Sequence, residues 1–318
     1  MSAGTPWSHA RILAGRSGSP RLLFGRMYED PGIELAVFPA APARVLCVAS
    51  AGDTAAALAH AGYEVTAVDV NPRQLDYARA RVVDGAPARM GTAERLTAVG
   101  RHVAAGLLPA WQRTALRAFL RLDDPARQLR WWRERLDGVG LRLLTASALR
   151  PAGPLTALLR PGFRGVVPPR FDAVLRARTA RVVASCPNTA NPLLRLLLLG
   201  EAPDPVPVSG IRFVRADVAE HLEAVPAGSY DAVTLSNVLD GPGRAYARRL
   251  RAAVERAVRP DGVAVLRSVR EDCVEQGDPT GWDRSDQDGR HLRGASPSPQ
   301  ERCPLWGTVR VLHTGGNP

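Results

Sequence analysis

Lysine is absent from this chain of 318 residues, and all 42 basic residues are arginines. The acidic residues number 31, so the formal net charge is +11. The arginines are spread along the chain and are not interleaved with aromatic residues, which make up only 5% of it. Nucleic-acid-binding surfaces concentrate basic residues on one face. We therefore expect no nucleic-acid partner, while peripheral contact with an anionic membrane surface stays open.

Cysteine is also scarce. Cys47, Cys186, Cys273 and Cys303 lie far apart, without a Cys-x-x-Cys pair or a nearby pair of histidines. This spacing argues against a disulfide scaffold and against a zinc site, and it is typical of proteins from a reducing cytoplasm. No apolar run has the length of a signal peptide or a membrane span. The sequence predicts a cytoplasmic protein that binds no metal and is not stably inserted in a membrane.

The stretch from Arg44 to Tyr77 carries the strongest signal. Residues 45–49 form a continuous apolar run, as in a strand that is buried on both faces of a parallel sheet. The turn Ser50-Ala51-Gly52 follows, and its glycine can adopt a positive φ angle and let backbone N–H groups approach a ligand. A strand, a glycine turn and a helix in this order predict the first half of a nucleoside site.

A second predicted strand in this stretch ends at Asp69. A carboxylate at that place can accept two hydrogen bonds from ribose hydroxyls. Asn71 is a suitable N-cap for the next helix, because proline follows it at the first helical position. We predict that Asp69, Val70, Asn71 and Gln74 bind the cofactor together with the turn residues.

The glycine pattern indicates which nucleoside is bound. Gly52 stands alone, whereas the pyrophosphate of NAD or FAD needs two or three glycines near the helix start. S-adenosylmethionine has no phosphate and tolerates a looser turn. The predicted cofactor is therefore S-adenosyl-L-methionine, used as a co-substrate. The alternative is an α/β core without a nucleotide, in which the turn and the acid are structural.

The second half of the predicted site comes much later in the chain. The strand that begins at Ile211 ends at Asp217, with Val218 after it, and the strand after Ser229 runs into the polar loop Ser236–Asp240. Asp217, Val218, Ser236 and Asn237 complete the predicted cofactor site. A helix, a turn and another strand follow. The order predicts an α/β fold with a Rossmann-like S-adenosylmethionine-dependent methyltransferase-type sheet and a large helical insertion.

Residues 84–190 separate the second predicted strand from the third and contain amphipathic helical patterns. We interpret them as a helical insertion that shapes the acceptor pocket. Residues 44–83 and 191–318 then form the S-adenosylmethionine-binding α/β core. Residues 1–43 are interpreted as an N-terminal helical segment that contributes to the active site. The oligomeric state is not indicated.

Several motifs resemble the betaine-lipid synthase family, namely Tyr28-Glu29-Asp30-Pro31 with Glu34, Val45–Gly52, Ala67–Leu75, Asn191-Pro192, Ser229–Asp231, Leu235-Ser236-Asn237 and Trp282-Asp283-Arg284-Ser285. The resemblance implies S-adenosylmethionine-dependent transfer of a 3-amino-3-carboxypropyl group. The chain differs from the family at Tyr28, where tryptophan is usual. It also differs at Val238–Gly241, where the family has an aromatic residue followed by Asp-Trp. Both differences lie where an acceptor would bind.

Transfer to an alcohol or a phenol requires a base within reach of the acceptor oxygen. The candidate catalytic residues are Asp240, Glu29 and Asp30, with Tyr28 as an orienting group. Each has a structural interpretation as well, since Glu29 and Asp30 can cap a helix or pair with an arginine.

The expected enzyme is a transferase that forms an ether on a hydroxyl or phenol of a small metabolite and releases methylthioadenosine. A nocardicin-type β-lactam is one such acceptor, as in isonocardicin synthase, which would assign the chain to antibiotic biosynthesis. Three alternatives stay open. They are the same transfer onto diacylglycerol in betaine-lipid synthesis, an S-adenosylmethionine-dependent O-methyltransferase, and a non-catalytic S-adenosylmethionine-binding protein.

Overall fold

The computed structural model describes residues 20–151, 168–271 and 300–315, together with the backbone of residues 292–294. The polar segment Trp282-Asp283-Arg284-Ser285 lies outside the described residues, as do Cys273 and the first 19 residues of the predicted N-terminal segment.

Strands and helices alternate in the sheet domain, and most of the helices lie between the second and third strands. The strands are β1 (Arg44–Val48), β2 (Glu64–Asp69), β3 (Arg212–Arg215), β4 (Tyr230–Thr234), β5 (Val258–Ser268), β6 (Leu292–Gly294) and β7 (Thr308–Thr314). The helices are α1 (Gly32–Val37), α2 (Asp53–His60), α3 (Pro72–Val82), α4 (Thr92–Leu107), α5 (Arg113–Phe119), α6 (Pro125–Trp131), α7 (Val139–Leu149), α8 (Phe171–Ser185), α9 (Pro192–Leu199), α10 (Val218–Ala224) and α11 (Arg244–Ala257). A π-helical turn, Trp132–Leu136, directly follows α6.

The sheet has seven strands in the order β3-β2-β1-β4-β5-β7-β6. The strands from β3 to β5 are parallel, and β7 is antiparallel to both of its neighbours. This order, with one reversed strand, is that of a Rossmann-like, methyltransferase-type sheet. The predicted fold class is confirmed. The strand order reverses between β1 and β4, which is where open α/β sheets bind their ligands.

The sheet is buried on both faces, and successive residues of β1 point to opposite sides. Leu46 packs with Leu222 of α10 and Leu250 of α11 on one face. Val45 packs with Ile33 of α1 and Leu58 of α2 on the other face. Helices therefore cover both faces, and β1 lies in the middle of the core.

The helices between β2 and β3 build a core of their own. Phe119, Trp132 and Leu141 are almost fully buried in it. Leu194 and Leu198 of α9, the last of these helices, belong to the same cluster. Trp111 and Trp132 make an edge contact, with ring centroids 6.4 Å apart. Both rings therefore serve packing within this helical layer.

Within the described part of the chain, no helix has the length and apolar character needed to cross a bilayer. The same residues contain no group of three or more His, Cys, Asp or Glu side chains arranged to hold a metal ion.

Candidate active site

A cavity lies where the parallel strands end, at the carboxyl edge of the sheet. The empty space in it, open solvent at its mouth included, is about 690 Å³. It is lined by Leu23, Phe24, Val48, Ser50, Val68, Asp69, Val70, Asn71, Gln74, Ala216, Asp217, Val218, Ser236, Asn237, Val238 and Tyr246. Most of these residues lie at or just after the ends of β1, β2, β3 and β4, so four strand ends meet at one place.

The turn after β1 brings the backbone close to this cavity. Gly52 has a φ angle of +90°, which side-chain-bearing residues rarely adopt, and it begins α2. A Cβ atom at this position would lie 2.7 Å from Cγ1 of Val82, so the glycine also lets α3 pack closely. Ala51 and Gly52, both predicted cofactor residues, do not line the cavity themselves.

We expect Gly52→Ala to lower the free energy of unfolding by about 2 kcal/mol, from the positive φ and the contact with Val82. Gly106→Ala is the matched control, because Gly106 lies in α4 with nothing within 4 Å of the added Cβ. It should be neutral or should stabilise the protein by up to about 1 kcal/mol. Urea unfolding measures both variants. A Gly52→Ala protein as stable as the wild type would contradict this interpretation.

Asp69 ends β2 at the cavity wall. Its carboxylate accepts hydrogen bonds from the backbone N–H of Ser50, at 3.1 Å, and from that of Asn71, at 2.9 Å. Burial raises the pKa of Asp69 to about 6, and the backbone hydrogen bonds oppose this shift. Each carboxylate oxygen retains acceptor capacity, so Asp69 ties two strand ends together and can still accept hydrogen bonds from a ligand.

Asn71 and Gln74 bind residues 20–31, which belong to the predicted N-terminal segment. Gln74 accepts from the N–H groups of Leu23 and Phe24, and donates to the carbonyls of Phe24 and Ser50 at 2.7 and 2.8 Å. Asn71 donates to the carbonyl of Arg21 at 2.8 Å. These two side chains hold Leu23 and Phe24 against the cavity, so the segment forms one of its walls.

Asp217 begins α10, next to the end of β3. Its Oδ1 caps the helix by accepting from the N–H of Ala219 at 3.0 Å. Its Oδ2 accepts from the hydroxyl of Tyr246 at 2.9 Å. Burial and the neighbouring Asp217 carboxylate raise the pKa of Tyr246, so this phenol stays protonated and serves as a donor.

Ser236 lies in the loop after β4 and has a φ angle of +49°, which is unusual for a residue with a side chain. Its hydroxyl donates to the carboxylate of Glu29, which is buried behind it. Burial raises the pKa of Glu29, and Arg267 opposes the shift. Ser236 thus connects the cavity to a carboxylate that does not line it.

Glu29 belongs to a larger buried group, the Arg267 cluster, which consists of Arg267, Glu29, Glu34, Glu301 and Thr234. Arg267 has no exposed side-chain surface and binds Glu34 through two nitrogens and Glu301 at 2.9 Å. Glu29 is 3.7 Å from the same guanidinium group. Burial raises the pKa of Glu301 to about 7. Three carboxylates therefore share one arginine beneath the cavity.

The other three catalytic candidates also lie outside the cavity lining. Asp240 accepts from the Ser268 hydroxyl at 2.7 Å and from the Val269 N–H at 3.0 Å, and burial raises its pKa. Asp30 forms a two-pronged ion pair with Arg302. Tyr28 packs in an apolar cluster with Leu193 and Cys303. None of these side chains faces the cavity directly.

No protein-family model and no curated protein matches the chain. Among solved structures it is similar to an S-adenosylmethionine-dependent methyltransferase from Aquifex aeolicus, with 9% identity, a TM-score of 0.33 and coverage of 98% of both chains. An rRNA methyltransferase from Streptomyces viridochromogenes has 14% identity and a TM-score of 0.31, with 95% of this chain and 88% of that chain covered.

A candidate sarcosine dimethylglycine methyltransferase from Galdieria sulphuraria is also similar, with 9% identity and a TM-score of 0.29. The match covers 75% of this chain and 44% of that one, so the chain spans less than half of that protein's length. The fold assignment rests on the order and direction of the strands in the sheet itself.

The predicted cofactor residues other than Ala51 and Gly52 line the cavity. Seven further lining residues are not among the predicted cofactor residues, namely Leu23, Phe24, Val48, Val68, Ala216, Val238 and Tyr246. Four of them, Val48, Val68, Ala216 and Val238, lie at or next to predicted strand ends, so the strand pattern could have indicated them. Tyr246 and the Leu23–Phe24 pair reach the cavity through tertiary packing, for which the sequence offers no local signal.

The charged side chains among the described lining residues of the cavity are all acidic. Asp69 and Asp217 line it, and Glu29 lies behind Ser236, whereas no arginine is among its described lining residues. A pyrophosphate would meet carboxylates without a compensating cation, and this is unfavourable in a partly buried site. A ligand that carries positive charge and hydroxyl groups fits this set of side chains.

Proposed function

We propose that the protein is an S-adenosylmethionine-dependent transferase. The observation that carries the proposal is the pair of carboxylates, Asp69 and Asp217, at adjacent strand ends of a cavity whose described lining residues include no arginine. Asp69 would hold the ribose hydroxyls, and Asp217 with Tyr246 would line the adenine side. The apolar side chains of Val70 and Val218 would pack against the base. The sulfonium makes its attached carbons electrophilic, and the carboxylates favour its positive charge.

We propose further that the transferred group is 3-amino-3-carboxypropyl. The support comes from the two segments that resemble betaine-lipid synthases, Tyr28–Pro31 and Leu235–Asn237. They are more than 200 residues apart in sequence, and Ser236 of one segment donates directly to Glu29 of the other, a separation of 207 residues. The contact couples them beside the cavity, as expected if they act together.

The acceptor in this proposal is a hydroxyl or phenol of a small metabolite. Its oxygen forms a bond to the γ-carbon of the aminocarboxypropyl chain, the bond from that carbon to sulfur breaks, and methylthioadenosine leaves. The proton of the acceptor must go to a base. Ser236 faces the cavity and already donates its own proton to Glu29. Ser236 would accept the acceptor's proton as it passes its own to Glu29, whose raised pKa suits a proton acceptor.

Identification of the released nucleoside tests the function. We would incubate the protein with S-adenosylmethionine and either a phenolic nocardicin-type β-lactam or dispersed diacylglycerol, and analyse the products by mass spectrometry. Methylthioadenosine together with an acceptor heavier by the aminocarboxypropyl group supports the proposal. S-adenosylhomocysteine and a methylated acceptor would replace it with methyl transfer. Tight binding without any product would indicate a non-catalytic binding protein.

A further inference from the structure

Residues 21–27, which we call the strap, form neither a helix nor a strand, but they are tied to the helices beside the cavity. At the start of α4, the N–H groups of Thr92 and Ala93 donate to the carbonyls of Leu22 and Leu23, at 3.1 and 2.9 Å. Side chains of α2, α3 and α4 bind further backbone groups of the strap. Leu22 and Leu23 themselves are only half-buried. The strap is therefore held largely by polar contacts of its backbone.

Gln74 spends its whole hydrogen-bonding capacity on the strap and the turn after β1. A primary amide has two acceptor sites on its oxygen and two N–H donors. The Oε1 of Gln74 accepts from the N–H groups of Leu23 and Phe24, at 3.1 and 3.2 Å. Its Nε2 donates to the carbonyls of Phe24 and Ser50, at 2.7 and 2.8 Å. Gln74 lines the cavity, but it retains no hydrogen-bonding group for a ligand.

The amide of Gln74 joins two walls of the cavity. Phe24 lines the cavity from the strap, and Ser50 lines it from the turn after β1. Ser50 has a φ angle of +43°, which is unusual for a residue with a side chain. Its N–H donates to Asp69 and its carbonyl accepts from Gln74, so the residue is fixed on both sides. The relative position of the strap and the turn therefore depends on one side chain.

We propose that Gln74 is a positioning residue that closes the strap against the cavity, and that the ligand stays bound only while the strap is closed. A half-exposed segment held by polar contacts opens locally at a lower cost than the sheet. A ligand that contacts Phe24 in the closed form adds its binding free energy to closure, so opening becomes rarer in its presence. The choice of S-adenosylmethionine as this ligand rests on the proposed function, whereas the attachment of the strap does not.

Hydrogen exchange of the strap amides, measured by mass spectrometry of peptides that cover the strap, tests its attachment without a ligand. Tyr77→Phe removes a buried hydroxyl of α3 that donates to the carbonyl of Gly25 at 2.8 Å and does not line the cavity. The strap should exchange about tenfold faster in this variant. Tyr63→Phe is the matched control, because its buried hydroxyl donates to the carbonyl of Pro39, outside the strap, at 2.9 Å. It should leave strap exchange as in the wild type.

The same measurement with S-adenosylmethionine tests the coupling to the ligand. At a ligand concentration of about 100 Kd, strap exchange in the wild type should slow about 100-fold, because the strap opens only after the ligand leaves. Helix α5, none of whose residues lines the cavity, should exchange at an unchanged rate. Gln74→Leu keeps the approximate volume of the side chain and removes its four hydrogen bonds. This variant should bind the ligand at least about tenfold more weakly, since its closed form is less populated.

Two results would overturn the proposal. Equal strap exchange in Tyr77→Phe and Tyr63→Phe would show that the polar contacts do not hold the strap. Binding of S-adenosylmethionine to the wild type without slower strap exchange would show that the ligand does not require closure, and this measurement stands even where Gln74→Leu fails to fold. A wild type that does not bind S-adenosylmethionine at all would instead overturn the proposed function, while the two tyrosine variants still decide on the attachment.

Discussion

Replacing Arg267 with glutamine should lower the free energy of unfolding by about 3–5 kcal/mol. The substitution leaves Glu34, Glu29 and Glu301 buried around an amide that carries no charge. Glu34 has no exposed side-chain surface. It loses both hydrogen bonds that the Arg267 guanidinium donates to its carboxylate. Removing one partner of a buried ion pair is costly because the remaining charge has neither water nor a counter-ion.

Arg248→Gln is the matched control for this variant. Arg248 is exposed on α11, and its replacement should change the free energy of unfolding by no more than about 0.5 kcal/mol. Guanidinium or thermal unfolding, followed by circular dichroism, compares the two variants. If Arg267→Gln were as stable as Arg248→Gln, the Arg267 cluster would not hold the charges that its geometry indicates.

The pH dependence should distinguish loss of charge pairing from loss of packing. Glu29 and Glu301 have pKa values in the folded protein above their usual range, because burial disfavours the charged form. The folded state then binds more protons than the unfolded state between about pH 4.5 and pH 7, so stability falls as pH rises through this window. Without Arg267 the fall should be steeper. We expect the destabilisation of Arg267→Gln to be smaller at pH 5 than at pH 8.

The sheet could be predicted from the sequence because its signals are local. The apolar run of β1, the positive φ of Gly52 and the Asn71–Pro72 helix start each depend on a few neighbouring residues. Parallel strands then place their carboxyl ends at one edge, so Asp69 and Asp217 could be brought together by reasoning on strand order alone.

The choice between a catalytic and a structural role for the acidic candidates could not be made in this way. Asp30 binds Arg302, and Asp240 binds Ser268 and the N–H of Val269, so the partners lie far away in sequence or on another strand. The sequence of a motif is the same whether its acidic side chain faces a cavity or pairs with an arginine. For Glu29, the hydrogen bond from Ser236 connects the carboxylate to the cavity. This contact depends on tertiary packing and has no local sequence signal.

Sequence patterns also do not show which side of a helix is buried. In α4, Leu96, Val99, Val103 and Leu107 lie on one side and are exposed. The spacing of its leucines and valines is that of an ordinary amphipathic helix, and it predicts that they face the core. Glu94 reverses the outcome, since a carboxylate that caps three backbone N–H groups must lie inside. Periodicity fixes which residues share a face, and the buried polar contacts fix which way that face points.

Asp69→Asn should weaken the binding of S-adenosylmethionine by about 100-fold at pH 8. In the proposed site the ionised carboxylate accepts hydrogen bonds from the ribose hydroxyls, and a charged hydrogen bond contributes about 1.5–3 kcal/mol. An amide keeps the shape, but it has one acceptor oxygen and no charge. The amide oxygen can still accept from one of the N–H groups of Ser50 and Asn71, whereas the amide NH2 meets the other, so the thermal stability of the variant is measured beside its affinity. Isothermal titration calorimetry measures the affinities.

The same carboxylate should make binding depend on pH. Asp69 has a pKa of about 6, and its ionised form is the better acceptor, so affinity should fall about tenfold as the pH is lowered from 8 to 5. Asp69→Asn should bind weakly and equally across this range. Asp76→Asn removes an exposed carboxylate on α3 and should follow the wild type at every pH.

Binding by Asp69→Asn within threefold of the wild type, in a variant with unchanged thermal stability, would show that Asp69 does not hold the ligand. A pH dependence that persists in Asp69→Asn would assign the titration to a different group, and Glu29→Gln would then test whether the carboxylate connected through Ser236 is that group.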